Sequence, residues 1–448
     1  MTGLRGLLAA LAAGQPATPA VPAAPMTTRV DGHGRRVSLL GYGAMRYPTV
    51  DGSHANVNRG GSKAPIDLPQ VQRQIDACIR LGVNYFDTSP VYCRGESEKV
   101  LGDCLAKHPR EKWLVATKLS NFNAKLQTFE ASRRMYEESF RLLRTDHVDY
   151  YLLHSIGGGG KDAMKVFNAR FIDNGMLDFL VKERAAGRIR NLGFSFHGSE
   201  EVFRHALSLH GRVHWDFVQI QLNYVDWRHA REVNPRNVNA ETLYGLLAEL
   251  NIPVVVMEPL LGGRLAKLTP SALRKLAPLD PAATPAQWAF RFAGSHPGVL
   301  TVLSGMQYME HIEENAATYS PLKPLDDRDR VVLERAARAY LSDDTIPCTG
   351  CDYCMPCPYG LDIPTVFSCW NQALAEDRLP DDPEDPDYAA NRRRFLIDYE
   401  RSIPKLRRAE RCTGCGRCAP HCPQSIDIPA MVRKVDAFVE KLRRNGRA

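Results

Sequence analysis

Two sets of residues in this 448-residue sequence have types and spacings that could do chemistry. Eight of its twelve cysteines fall into two short runs near the end. The first, CTGCDYCMPCP, sets Cys348, Cys351, Cys354 and Cys357 at intervals of three; the second, CTGCGRCAPHCP, sets Cys412, Cys415, Cys418 and Cys422 in a C-x2-C-x2-C-x3-C-P spacing. Four thiolates crowded this closely, with proline after the last, suit a 4Fe-4S cluster. A zinc ribbon would instead separate two CxxC pairs by roughly 15 to 20 residues, which argues against zinc. In two-cluster proteins with this spacing the fourth cysteine of one run ligates the other cluster. By that rule Cys348, Cys351, Cys354 and Cys422 hold one cluster, and Cys412, Cys415, Cys418 and Cys357 the other. The second set is more dispersed: Asp87, Tyr92, Lys118, His154, Ser195, Gln219 and Asn223 each lie at or just beyond the end of an apolar run.

Those apolar runs are the elements that must position them. Leu39–Met45, Val83–Thr88, Trp113–Leu119, Val148–His154, Ile189–Phe196, Phe217–Asn223, Pro253–Leu260 and Val299–Leu303 read as buried strands. Segments of helical period lie between them, such as Val71–Leu81, Glu98–Lys107, Glu130–Leu143, Leu177–Ala186, Glu201–Leu209 and Glu241–Leu250. Eight strands, each followed by a helix, predict an α/β chain built on a (β/α)8 TIM barrel. No GxGxxG opens a helix after the first strand, which weighs against an open nucleotide-binding sheet. In a barrel the loops after the strands share one mouth, so the dispersed polar residues would converge there. A helix over Asp326–Leu341 follows, and then the cysteine region, where Pro364–Arg378 and Tyr388–Arg401 look helical and PDDPEDPD at Pro380–Asp387 is an acidic, proline-broken loop. The expected organisation is a leader at 1–25, the barrel at 26–340 and an iron-sulfur domain at 341–448.

VNYFDTSPVYCRGESEKVLGDCL (Val83–Leu105), LVATK and VDYYLLH resemble the segments of the aldo/keto reductases that carry their catalytic Asp, Tyr, Lys and His, and the resemblance runs from about Val37 to Asn315. It implies reduction of a small carbonyl substrate with NAD(P)H. Tyr92 would be the proton donor, Lys118 would stabilise its phenolate, Asp87 would hold Lys118 charged, and His154 would bond the substrate oxygen. The resemblance further implies that Ser195 and Gln219 bond the nicotinamide carboxamide, that the loop Leu260–Leu265 with Gly262 and Gly263 follows the pyrophosphate, and that Ser304, Gly305 and Asn315 bound the adenosine end. Phe196, His197 and Met257 depart from the family pattern, and basic positions for a 2'-phosphate fall on Gly305 and His311, so NADH and NADPH stay open. GFSFHG (Gly193–Gly198), VMEPLLGG (Val256–Gly263) and the CxxCxxCxxCP form are similar to the subfamily with a C-terminal ferredoxin-like domain, here expected to be mainly α-helical.

Hydride transfer moves two electrons and a 4Fe-4S cluster one, so joining them calls for a flavin or a radical; a barrel's phosphate site after strands seven and eight could accept FMN. The clusters could otherwise serve a separate one-electron carrier or the structure alone. The alternative is a non-catalytic redox-sensing or electron-transfer protein whose barrel binds a nicotinamide or flavin. The tetrad argues against it, since a binding module needs no acid beside a cation.

The net charge of +7 is modest for the length, and the basic stretch Arg392–Arg411 is broken by Asp398, Glu400 and Glu410, so nucleic acid is not an expected partner. No apolar run reaches the roughly 18 residues of a bilayer span. Residues 1–25 read as a disordered Ala/Pro-rich leader lacking a twin arginine, and clustered thiols suit the reducing cytoplasm. Cys78, Cys93, Cys104 and Cys369 are expected to pack, and Tyr42, Tyr47, Tyr224 and Trp227 are candidates to line the barrel mouth. Asp51–Ala64 is an insertion that could act as a lid.

Overall fold

The computed structural model describes residues 24–55, 62–342, 344–376, 378–380, 383 and 387–444. The leader up to residue 23, part of the Asp51–Ala64 insertion and most of the acidic loop therefore lie outside the described residues. Eight parallel strands close into a barrel in chain order: β3 (Leu40–Gly43), β4 (Tyr85–Asp87), β5 (Leu114–Leu119), β6 (Val148–Ile156), β7 (Ile189–Phe196), β8 (Phe217–Gln221), β9 (Val254–Met257) and β10 (Val299–Ser304), with β10 pairing back to β3. β-Branched and aromatic runs flanked by amphipathic helices on the outside make this the solution that buries every strand on both faces.

An antiparallel hairpin, β1 (Thr28–Val30) and β2 (Arg36–Ser38), precedes the barrel and was not foreseen from the sequence. It leads straight into β3 and so covers the amino-terminal ends of the strands. There Ser38 and Asn84 exchange hydrogen bonds of 2.8 and 2.9 Å, and Tyr150 donates to Asp31 at 2.8 Å. Above this plug, Tyr85, Leu114, Tyr150, Phe217, Val255 and Leu300 fill the barrel interior.

The helices start where side chains can cap them. Asp67 accepts from the Gln70 amide at the head of Leu68–Arg80, Thr128 from Ala131 at the head of Phe129–Leu143, and Thr284 with Gln287 forms a reciprocal box on Pro285–Gly294. Strand β9 stops at Met257, three residues short of expectation, because Glu258 turns into the left-handed region at φ 57°.

The helix Asp327–Ser342 packs against the barrel, whose hydrophobic core runs on to Tyr340. A second core begins at Ile346 and joins the helices Ile363–Ala375, Tyr388–Ser402 and Ile428–Arg444 around Phe367, Trp370, Phe395 and Val435. The two bodies touch at named points: Arg46 donates to the Thr349 carbonyl at 2.8 Å, and Asn234 to the Pro423 carbonyl at 2.7 Å. Among the described residues no helix is long and apolar enough to cross a membrane.

Candidate active site

The end of β4 carries Asp87 and the end of β5 carries Lys118, so parallel pairing sets them side by side. Lys118 Nζ donates to Asp87 Oδ1 at 2.5 Å and to the Thr88 carbonyl at 2.8 Å, and both side chains are almost wholly out of water. Burial pushes the carboxyl up and the ammonium down, and the charge of each opposes the shift of the other. Lys118 Nζ lies 5.0 Å from the ring centroid of Tyr92, which follows β4 in a short turn. Burial, then Asp87, Tyr353 and Glu258, hold the Tyr92 phenol well above its ordinary value, so it carries its proton.

His154 sits late in β6, its ring edge-on to Tyr92 at 5.8 Å between centroids. Burial first, then Lys118, Arg170 and His197, keep this imidazole well below its ordinary pKa and hence neutral. Its Nδ1 faces Ser120 Oγ at 2.6 Å and Ser89 Oγ at 3.3 Å. Arg170 donates to the His154 and Ser155 carbonyls at 2.6 and 3.1 Å, and Phe122 lies 5.0 Å from the imidazole. Ser89, Ser120, Phe122 and Arg170 were missed from the sequence. The two serines had a signal, each standing two residues past a tetrad member; Arg170 comes from a π-helical turn with none.

These groups open on a cavity of about 1420 Å³ bounded by the barrel mouth and by the first cysteine run together with residues around Cys418 and Gln424. Asp87, Tyr92, His154, Ser195, Gln219, Leu260, Gly262, Gly263, Ser304, Gly305 and Asn315 all reach its wall, while Lys118 lies beneath it. The volume exceeds the roughly 300–1,000 Å³ of ordinary ligand pockets, leaving room for a dinucleotide and a substrate. Ser195 Oγ accepts from the Ser155 amide at 2.7 Å, which leaves its own hydrogen to donate. Gln219 leans on Met257 Sδ at 3.5 Å and has a buried Oε1 without a hydrogen-bond partner, a vacancy that suits the N–H of a carboxamide. Asn315 donates to Ser304 Oγ at 3.1 Å, and nothing crowds Gly305 or Gly263.

Several expected residues are placed elsewhere. Leu265 is fully buried in the core and away from the cavity. Gly262 lines the cavity, yet its lack of a side chain serves another contact: a Cβ there would lie 2.5 Å from Thr349 Cβ of the cysteine domain. Asn223 is buried past the end of β8, capping Val225 and Asp226 and bonding Asp226 and the Glu258 carbonyl. Tyr42, Tyr47 and Tyr224 are buried in the core; Trp227 stacks on His296 at 4.4 Å outside the mouth. Cys78, Cys93 and Cys104 pack as expected.

The cysteines divide across the two runs. Cys348, Cys351, Cys354 and Cys422 line one small enclosed space. Burial raises the thiols of Cys348, Cys351, Cys354 and Cys418; Cys422 raises each of the first three further, whereas Cys357, Cys412 and Cys415 add to the rise at Cys418.

The aldo/keto reductase family model matches residues 40–331, nearly two thirds of the sequence. The chain belongs to the aldo/keto reductase family. A 4Fe-4S dicluster domain matches residues 347–427 at its carboxyl end, so this reductase carries an iron-sulfur domain. It is 27% identical over 312 residues, 65% of this chain and 87% of the relative, to L-galactose dehydrogenase of Arabidopsis thaliana. Its fold is that of the aldo-keto reductase AKR11C1 from Bacillus halodurans in its holo form (TM-score 0.53, 22% identity, 71% of this chain and 99% of that one). It is likewise that of an aldo-keto reductase from Klebsiella pneumoniae in complex with NADPH (TM-score 0.52, 21% identity, 72% and 97%).

Proposed function

We propose that this aldo/keto reductase reduces a small carbonyl substrate with NAD(P)H, using Asp87, Tyr92, Lys118 and His154. The observation that carries the reading is the buried Lys118–Asp87 pair set beneath a protonated phenol and beside a neutral imidazole, with Asp87, Tyr92 and His154 at one cavity wall and Lys118 beneath it. A bound nicotinamide supplies hydride to the carbonyl carbon. Tyr92 holds the proton that the developing alkoxide takes, and Lys118 stabilises the phenolate left behind. Asp87 keeps Lys118 charged in a dry site. His154, with Nδ1 facing Ser120, orients the substrate oxygen through its other nitrogen. Gln219 and the Ser195 hydroxyl would bond the carboxamide, and Gly263, Ser304, Gly305 and Asn315, which line the same cavity, would border the remainder of the dinucleotide.

Two 4Fe-4S clusters are part of the proposal, one held by Cys348, Cys351, Cys354 and Cys422 and the other by Cys357, Cys412, Cys415 and Cys418, as the grouping of their thiols supports. Such clusters transfer single electrons, and FMN in the barrel's phosphate site would join that to hydride chemistry. A small one-electron carrier and the reducing cytoplasm fit the same reading.

Tyr92→Phe tests the catalytic claim. It should lower kcat for carbonyl reduction by roughly 10²–10⁴, the usual worth of a positioned acid, with folding, iron content and nicotinamide binding retained. Turnover at the wild-type rate would exclude Tyr92 as the acid.

A further inference from the structure

Cys415 alone of the cysteines is exposed among the described residues, whereas Cys348, Cys351, Cys354 and Cys422 enclose a small space, and Cys351 and Cys354 also face the cavity of the tetrad. The crossed sets therefore turn one cluster inward and the other outward. Residues 405–417, which lead into and through the outer set, carry five basic side chains, Lys405, Arg407, Arg408, Arg411 and Arg417, against one acidic, Glu410. Arg407 and Arg408 are paired with Asp362 and Glu400, and Glu410 with Arg443. Lys405, Arg411 and Arg417 are exposed and hold no ion pair among the described residues. Exposed Arg433 joins them from the last helix, its Nη1 3.3 Å from where a side chain on Gly414 would begin, next to Cys415. An apolar spot lies within this basic segment. Leu406 is 68% exposed, the most exposed large apolar side chain among the described residues, and Tyr359 is 45% exposed. The two adjoin: the Asp362 amide donates to the Arg407 carbonyl at 2.9 Å, and the Leu406 carbonyl lies 3.7 Å from the Cβ position of Gly360. The Gly360 amide turns back to the Cys357 carbonyl at 3.0 Å, which keeps this spot beside the outer set.

Electron-transfer encounters are small, below about 1,200 Å², and opposite charge across them steers the approach. An apolar spot with unpaired charge of one sign about it is the anatomy such an encounter needs. We propose that the surface formed by Leu406, Tyr359, Lys405, Arg411 and Arg433 beside Cys415 docks an acidic one-electron carrier protein. The inference rests on the two-cluster part of the reading above and adds the partner's chemistry and its place. One electron leaves the reduced carrier, which is oxidised, and enters the cluster held in part by Cys415, which is reduced, with no bond made or broken.

The test titrates the full-length, cluster-loaded protein by calorimetry with an oxidised, acidic plant-type 2Fe-2S ferredoxin and, for comparison, with a basic cytochrome c. Ferredoxin should bind at least ~10-fold more tightly than cytochrome c at about 20 mM salt, and the preference should fade above about 200 mM, where exposed charges are screened. Lys405→Gln, Arg411→Gln and Arg433→Gln combined should lose roughly that tenfold and flatten the salt dependence, while Leu406→Ser should weaken binding at either salt. Iron content, cluster absorbance and carbonyl reduction should stay as in the wild type. Equal affinity for the two carriers, or variants that bind ferredoxin as the wild type does, overturns the docking surface and leaves the clusters standing. Loss of iron from the charge variant assigns these side chains to holding the cluster and overturns it too. Tighter binding to phosphatidylglycerol vesicles than to ferredoxin, abolished by the same substitutions, overturns it in favour of an anionic membrane. Protein that assembles without iron overturns the cluster reading, and the surface with it.

Discussion

Replacing Lys118 with Met removes the only cation bonded to Asp87 among the described residues and leaves a carboxyl group in a dry barrel. Breaking a buried pair from one side costs about 3–5 kcal/mol, because the remaining charge has lost its partner and cannot reach water. With a urea m-value of roughly 2–3 kcal/mol/M, the barrel transition should move down by roughly 1–2.5 M. Burial already raises the Asp87 carboxyl, and without Lys118 it rises further. Between the unfolded and folded pKa values the unfolded chain then binds fewer protons, so the variant should lose stability as pH climbs from about 4 towards 7. Adding Asp87→Asn removes the stranded charge, and the double variant should recover at least half of the lost midpoint and most of the pH slope. Neither variant should reduce carbonyls, since both lack the cation beneath Tyr92. Urea unfolding by circular dichroism at several pH values, with turnover measured in parallel, gives all of these quantities. A single variant within ~0.3 M of wild type, or a double variant no more stable than the single, would refute the buried-pair account.

His296 is 5% exposed, stacked on Trp227, and lowered to about 4 by burial and then Arg330; burial likewise takes His54 and His197 to about 4. An unfolded histidine binds its proton near pH 6.5 and the folded one does not, so stability should fall as pH drops from 6.5 to 4, by up to roughly 3 kcal/mol for His296. His296→Gln should flatten the denaturant midpoint against pH; an unchanged slope sinks the assignment. For the crossed cluster sets, Cys422→Ser combined with Cys351→Ser should lose no more iron than either alone, whereas Cys422→Ser with Cys415→Ser should lose both clusters. The reverse pattern in iron and sulfide analysis means that each run closes its own cluster.

The barrel was legible because its signal is local and repeated. Each strand is a short apolar run ended by polar residues, and the parallel register then brings Asp87, Lys118 and His154 together without further instruction. The β1–β2 hairpin carried no such signal: Thr28–Val30 and Arg36–Ser38 are three residues each with a single apolar residue apiece, and only docking beneath the strands makes them β. The aromatic residues near the mouth misled for a related reason, since Tyr42 and Tyr224 have the composition of a rim but point into the packed core, where their rings meet Phe86 and Phe292. Arg170 and Tyr353 were invisible as site residues because long-range packing alone carries them to the tetrad. The cysteine runs were readable individually, but the apposition of Cys422 to Cys348, Cys351 and Cys354 depends on how the helices Ile363–Ala375 and Tyr388–Ser402 fold between them.

Gly262 changes how the loop after β9 should be read across related barrels. A glycine here looks like an adaptation to a phosphate, yet the atom that would strike its side chain belongs to Thr349. Whatever a bound dinucleotide asks of this loop, the neighbouring domain asks more, and any substitution at 262 acts as a wedge driven under the roof. The two bodies therefore fit as one unit at this seam: grafting the cysteine domain onto another barrel would require the loop to be transplanted with it.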